Sequence, residues 1–241
     1  MIICKNCHQR FQGNYCNRCG QKATVKRIHR GFIFNDLQLG LFNIDSGFFY
    51  TAKELFTRPG YAIKDYIVGK RVRYFMPVSM LLVLSTVYSF LYHYLDVDIF
   101  YQGTSVYSEN EKYMSLVKAL DGNYAYYTLV SLHIFSFSSW LLFKRFGYNF
   151  SEHFVLNTYA ACQRLFFHTI FLSILYIAPE EQNKYIFIFR IQLIVDFLLF
   201  LWCFIQFFKM RTITIIIKTC LSLILSYFIL LIIISFIYYV L

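Results

Sequence analysis

Apolar positions fall in two kinds of run along this chain. From residue 74 onward they form long stretches at 74–95, 124–143, 150–177, 185–208 and 219–241, parted by more polar segments. Each stretch is long enough to cross a hydrocarbon core about 30 Å thick at about 1.5 Å of rise per residue. These stretches must be helical, because lipid offers no partner to an open backbone N–H or C=O. The pattern predicts an all-α membrane protein built on a bundle of five transmembrane helices.

Before residue 74 the apolar positions are spaced instead of continuous. Phe32, Ile33, Phe34, Leu37, Leu39, Leu41 and Phe42 make one apolar run. Phe48, Phe49, Ala52, Leu55 and Phe56 then recur at helical spacing, and Ala62, Ile63, Tyr66 and Ile67 give a second helix its apolar face. Thr57 is placed to cap that second helix, with Pro59 in its first turn. Both helices are expected to lie as amphipathic elements in the membrane interface. Residues 1–24 are different again, short and rich in cysteine. The chain therefore divides into a small N-terminal ribbon (1–24), a juxtamembrane amphipathic segment (25–73) and a transmembrane domain (74–241).

Charge changes the picture by giving it a direction. The chain has 241 residues, 58% hydrophobic and 15% charged, with a net charge of +10. Eighteen of the 23 Lys and Arg residues fall before the first span, between the second and third, or between the fourth and fifth. The segment 96–123 holds two basic residues against five acidic ones. An excess of Lys and Arg marks the cytoplasmic side, so the N-terminus is expected in the cytoplasm and the C-terminus outside. This distribution accounts for most of the positive charge, and nucleic acid is not an expected partner. The expected partners are the bilayer, anionic lipid near Lys22, Lys26, Arg27 and Arg30, and a protein or a second copy of the chain.

Chemistry enters at Cys4, Cys7, Cys16 and Cys19, two C-x-x-C pairs with eight residues between them. Four thiolates at this spacing suit tetrahedral Zn2+. Disulfides are the alternative, but the charge pattern puts this segment in a reducing compartment. Four Cys ligands leave no open position for water, so the expected role is one structural zinc per chain. Cys162, Cys203 and Cys220 lie in separate spans and read as packing residues.

Ionisable residues within the spans form a second group. Arg164, Asp196 and His133 fall at the centres of their stretches and should share one depth, with Arg164 and Asp196 paired. His153, Asn157, Arg164 and His168 follow steps of four, seven and four, which places them on one stripe of a helix. Glu152 and His153 are expected at a cytoplasmic mouth, and His93, His168 and Arg190 near the outer face. The stripe reads either as polar glue between helices or as a site for a lipid headgroup, an ion or a proton path.

Residues 47–82, GFFYTAKELFTRPGYAIKDYIVGKRVRYFMPVSMLL, following a C-x-x-C…C-x-x-C knob, resemble an uncharacterised bacterial family. In that family a four-Cys zinc ribbon precedes a multi-pass membrane region, and an Asn-x-x-Glu-His pattern recurs at the start of the third span. The resemblance implies a bacterial cytoplasmic-membrane location and brings no catalytic residues. The chain holds no phosphate loop, nucleophile elbow or dinucleotide fingerprint, and an enzyme is the less expected reading. The favoured expectation is a membrane-anchored interaction or assembly protein. The alternative is a small transporter or membrane-embedded enzyme handling an anionic or lipid-linked substrate at the polar centre.

Overall fold

The computed structural model describes residues 1–29, 31, 47–95, 124–177, 182–209 and 212–240. The expected apolar run at 32–42, Arg30 and the segments 96–123, 178–181 and 210–211 lie outside them. Two short strands, β1 (Ile2–Ile3) and β2 (Arg10–Phe11), pair antiparallel, with Ile2 opposite Phe11 and Ile3 opposite Arg10. Among the described residues seven α-helices follow: α1 (Gly47–Thr57), α2 (Pro59–Val68), α3 (Pro77–Leu95), α4 (Tyr124–Phe143), α5 (Phe150–Ile177), α6 (Gln182–Phe208) and α7 (Thr212–Val240). Among the same residues four helical stretches are long and apolar enough to cross a membrane: α3, α5, residues 190–208 of α6 and residues 212–236 of α7.

α5 is the centre of the bundle. Its first half is buried on every side, from Ser151 to Gln163, and α3, α4 and α6 all pack on it. Ala160 and Ala161 are buried there, which lets neighbours approach closely. The outermost helix, α7, packs on α4 and α6 and leaves large apolar residues such as Ile224, Phe228 and Phe236 exposed.

The two helices before the bundle pack against it. α1 touches α5, burying Thr51 and Leu55 while Phe49 points outward. α2 crosses α6 so closely that a Cβ on Gly60 would sit 2.3 Å from the Cys203 carbonyl oxygen. Thr57 does not cap α2. Its hydroxyl bonds back to the Lys53 carbonyl at 2.9 Å, and Arg58 takes the N-cap position ahead of Pro59. Pro59 has no N–H to satisfy, and the next donor, Gly60 N–H, is taken by Gln206 Oε1 of α6 at 3.1 Å.

The helix at the first expected span begins at Pro77 instead of residue 74, and the helix at the last expected one begins at Thr212 instead of 219. Lys218 therefore lies inside α7 instead of between spans. Its ammonium donates to the Leu142 carbonyl at 3.0 Å and satisfies an acceptor at the C-terminus of α4.

Candidate functional site

The N-terminal knob consists of two equivalent knuckles. In the first, the Cys4 N–H donates to Gln9 O and Cys4 O accepts from His8 N, at 2.9 and 3.0 Å. In the second, Cys16 N–H donates to Gln21 O and Cys16 O accepts from Gly20 N, at 2.9 and 2.8 Å. His8 and Gly20 occupy the same place in their knuckles, both left-handed, with φ of 60° and 73°. Glycine reaches that region without strain, whereas His8 adopts it against a steric penalty.

These turns aim all four sulfurs inward. Cys4 Sγ lies 3.5 Å from Cys19 Sγ, Cys7 Sγ lies 3.5 Å from Cys16 Sγ, and all four fall within 4.8 Å of one another. A tetrahedral ion with bonds of about 2.3 Å holds its sulfurs about 3.8 Å apart, so the cluster could hold a metal ion. Burial works against ionising Cys19, but hydrogen bonds from Asn6 and the Gln21 backbone hold it down to about 6.

The knob is tied to the bundle by the segment behind it. Arg27 grips Glu152 with Nε and Nη2, both at 2.7 Å, and Nη2 also donates to Gly147 O at 2.7 Å. The hydrogen bond and charge of Glu152 raise the Arg27 pKa further. Asn149 donates from Nδ2 to Ile28 O at 2.9 Å, and Ile28 is wholly buried. Arg71, beyond the end of α2, donates to Tyr66 O and Lys26 O, each at 3.2 Å.

This arrangement explains the Asn-x-x-Glu-His pattern. Asn149 Oδ1 accepts from Glu152 N at 2.9 Å while Glu152 Oε2 accepts from Asn149 N at 2.8 Å. That reciprocal pair is a capping box at the start of α5. Glu152, expected at a cytoplasmic mouth, is buried beneath Arg27. The capping spacing was visible in the sequence; the partnership with Arg27, 125 residues away, was not.

The polar stripe on α5 divides between two neighbours. Near the knob, Asn157 Nδ2 donates to Ser139 Oγ of α4 at 2.9 Å, and Ser139 Oγ lies 3.1 Å from His153 Nδ1. Farther along, His168 Nε2 donates to Asp196 of α6 at 2.9 Å, and Arg164 Nη1 stands 3.9 Å from the same carboxylate. Arg164 and His168 are one turn apart, so both reach a single acid. Phe200, one turn beyond Asp196, lies under the Arg164 guanidinium at 5.4 Å.

His133 is not in this group. It is exposed on α4, its Nδ1 donating to Leu129 O at 2.8 Å and its ring against Phe154. The buried face of α4 carries Ser131, Leu132, Ser136 and Ser139, and His133 falls off that stripe. The expected outer trio also separates: His168 joins Asp196, while His93 and Arg190 are exposed. Beside Asn157 and Arg164 is a cavity of about 10 Å³, faced by Thr128 and Ser131. Asn157 Oδ1 and Arg164 Nε find no protein partner among the described residues.

Other residues that sequence reasoning passed over hold the segment between knob and bundle. Thr51 Oγ1 accepts from Phe75 N at 2.7 Å, and Tyr159 OH donates to Phe75 O at 2.6 Å. Gln163 Nε2 donates to Leu55 O at 3.0 Å near the end of α1. Arg58 pairs with Glu54 and Asp65, and Lys70 with Asp65 at 2.8 Å. Burial opposes the Arg58 charge, but its partners raise its pKa overall.

Residues 45–89 match the family described as a protein of unknown function (DUF3667). The match spans α1, α2 and much of α3, and with the Cys cluster it fits an uncharacterised family with such a cluster. Neither a curated protein nor a solved structure matches the chain.

Proposed function

We propose that this protein is a membrane-anchored docking or assembly component whose N-terminal zinc ribbon presents a binding surface at the cytoplasmic face. In this reading one structural zinc per chain is held by Cys4, Cys7, Cys16 and Cys19. Five helices span the membrane, the N-terminus is cytoplasmic and the C-terminus outside. The cytoplasmic membrane of a bacterium is the proposed location. The ribbon covers 1–24, the juxtamembrane segment 25–73 and the bundle 74–241.

The observation that carries this reading is the Arg27–Glu152 latch. It fastens a metal-competent knob against the capped start of the central helix, so the knob is held at a set position. Ile2, Ile3 and Tyr15 remain exposed on it beside Arg10, Arg18 and Lys22. A small rigid head with apolar and basic groups outward suits recognition of a partner protein better than catalysis. The alternative, transport or chemistry at Arg164, Asp196 and His168, has less support. The adjoining cavity of about 10 Å³ has room for about one water molecule.

The test is purification of the full chain from native membranes in mild detergent, followed by intact-complex mass spectrometry and metal quantitation. The expected result is a stoichiometric protein partner and one zinc per chain. A Cys4→Ser, Cys7→Ser variant should lose both while still inserting. If that variant keeps the same partner at the same stoichiometry, the docking role of the ribbon is wrong.

A further inference from the structure

Between the knob and the bundle lies a cleft of about 460 Å³. Its volume is in the range of small-ligand sites, roughly 300–1,000 Å³. Its lining includes three cations, Lys5, Lys26 and Arg27, with Glu152 the acid among the lining residues. Three cations against one carboxylate leave the cleft positive. Two of the cations are fixed in place. Lys5 donates to Val25 O at 2.9 Å, and Arg27 is held by Glu152 and Gly147 O. Lys26 is exposed, and its ammonium has no hydrogen-bond or ion-pair partner among the described residues.

Apolar residues complete the lining: Ile67 and Val68 at the end of α2, Phe146 and Tyr148 in the turn before α5. The cleft thus offers both cations and an apolar wall to one ligand. It also sits at the end of the bundle where α4 stops and α5 starts, beside the exposed Lys144 and Arg145. That is the headgroup level for helices of this length.

We propose that this cleft binds a phosphate-bearing anion, with Lys26 as its principal free cation. The apolar wall favours the headgroup and glycerol region of an anionic phospholipid as the source. Basic residues at this level attract anionic lipid. Binding here would place a lipid across the seam joining the knob, α2 and the start of α5.

The test uses the purified full chain in mild detergent with equal phosphatidylglycerol and phosphatidylcholine, read by native mass spectrometry. Inorganic phosphate is titrated in a parallel calorimetric arm without lipid. The variants are Lys26→Glu and, as an exposed cation outside the cleft, Lys53→Glu, both checked for unchanged metal content. Retention of phosphatidylglycerol over phosphatidylcholine, lost about tenfold in Lys26→Glu and kept in Lys53→Glu, is the expected result. Inorganic phosphate binding with the same Lys26 dependence, without lipid preference, would keep the anion site and assign it a soluble ligand. No preference and no phosphate binding, or equal loss in both variants, would overturn the proposal.

Discussion

Arg27 is largely exposed, with 62% of its side chain accessible, yet the carboxylate it grips is 3% accessible. Such a pair gains from charge-assisted bidentate geometry and loses part of that gain to solvent around the guanidinium. Arg27→Ala leaves Glu152 buried with only its capping bond to Asn149 N. The expected loss of docking stability is about 1–2 kcal/mol. The measurement is limited trypsin digestion: cleavage after Lys22 and Lys26 should accelerate in Arg27→Ala while the helices stay protected. Unchanged cleavage would show that Asn149 and Arg71 hold the segment without Arg27. The cysteines behave differently, because they act as a set. Cys16→Ser removes one of four sulfurs and is expected to drop the bound metal from one per chain to a small fraction, measured by elemental analysis of the purified protein.

α2 crosses α6 with backbone in near contact, and the crossing depends on Gly60. Its N–H donates to Gln206 Oε1 at 3.1 Å, and the Cys203 carbonyl lies where a side chain would go. Gly60→Ala must separate the helices, at an expected cost of about 1–3 kcal/mol, read as a fall in the thermal midpoint of the detergent-solubilised protein. The Arg164–Asp196 contact joins α5 to α6 in another way. Either residue alone changed to Leu leaves the other charge with reduced compensation in the bundle. The double change Arg164→Leu, Asp196→Leu is expected to be less destabilising than either single one, since an apolar pair can replace a buried ionic one. A double variant as unstable as the sum of the singles would show that His168 makes the acid indispensable. Most helices were legible in the sequence because apolar runs of that length admit few structures. The polar stripe was legible as a stripe, since helical spacing fixes which residues share a face. What the spacing could not supply was the neighbour. His153 and Asn157 met a serine on α4, and His168 met Asp196, because a long helix passes from one partner to the next along its length. Lys218 was misplaced for a related reason: its charge marked a boundary, but a C-terminal carbonyl of another helix made its burial tolerable.

At the scale of the molecule, the ends of the helices near the knob share one side. Contacts from Arg27 to Glu152, from Lys218 to Leu142 and from Gly60 to Gln206 bring together the start of α5, the end of α4 and the end of α6. Most of the Lys and Arg residues belong to this side, which gives the bundle its expected orientation. The number of crossings turns on α4. It is a helix of 20 residues, about 30 Å long, packed between α5 and α7. Its serines are satisfied within the helix, Ser136 donating to Leu132 O and Ser138 to Ile134 O at 2.6 and 3.0 Å. Such back-bonding lowers the cost of hydroxyls at membrane depth. If α4 crosses, there are five spans and the two ends of the chain lie on opposite sides. A fluorescent protein fused at the N-terminus should then be bright, and alkaline phosphatase fused after Leu241 should be active. An inactive phosphatase that becomes active when fused instead within 96–123 would leave the first hairpin intact and fix an even number of crossings. The C-terminus would then share the side of the knob, and α7 would have to re-enter instead of span, since the Arg27–Glu152 contact keeps the start of α5 on that side.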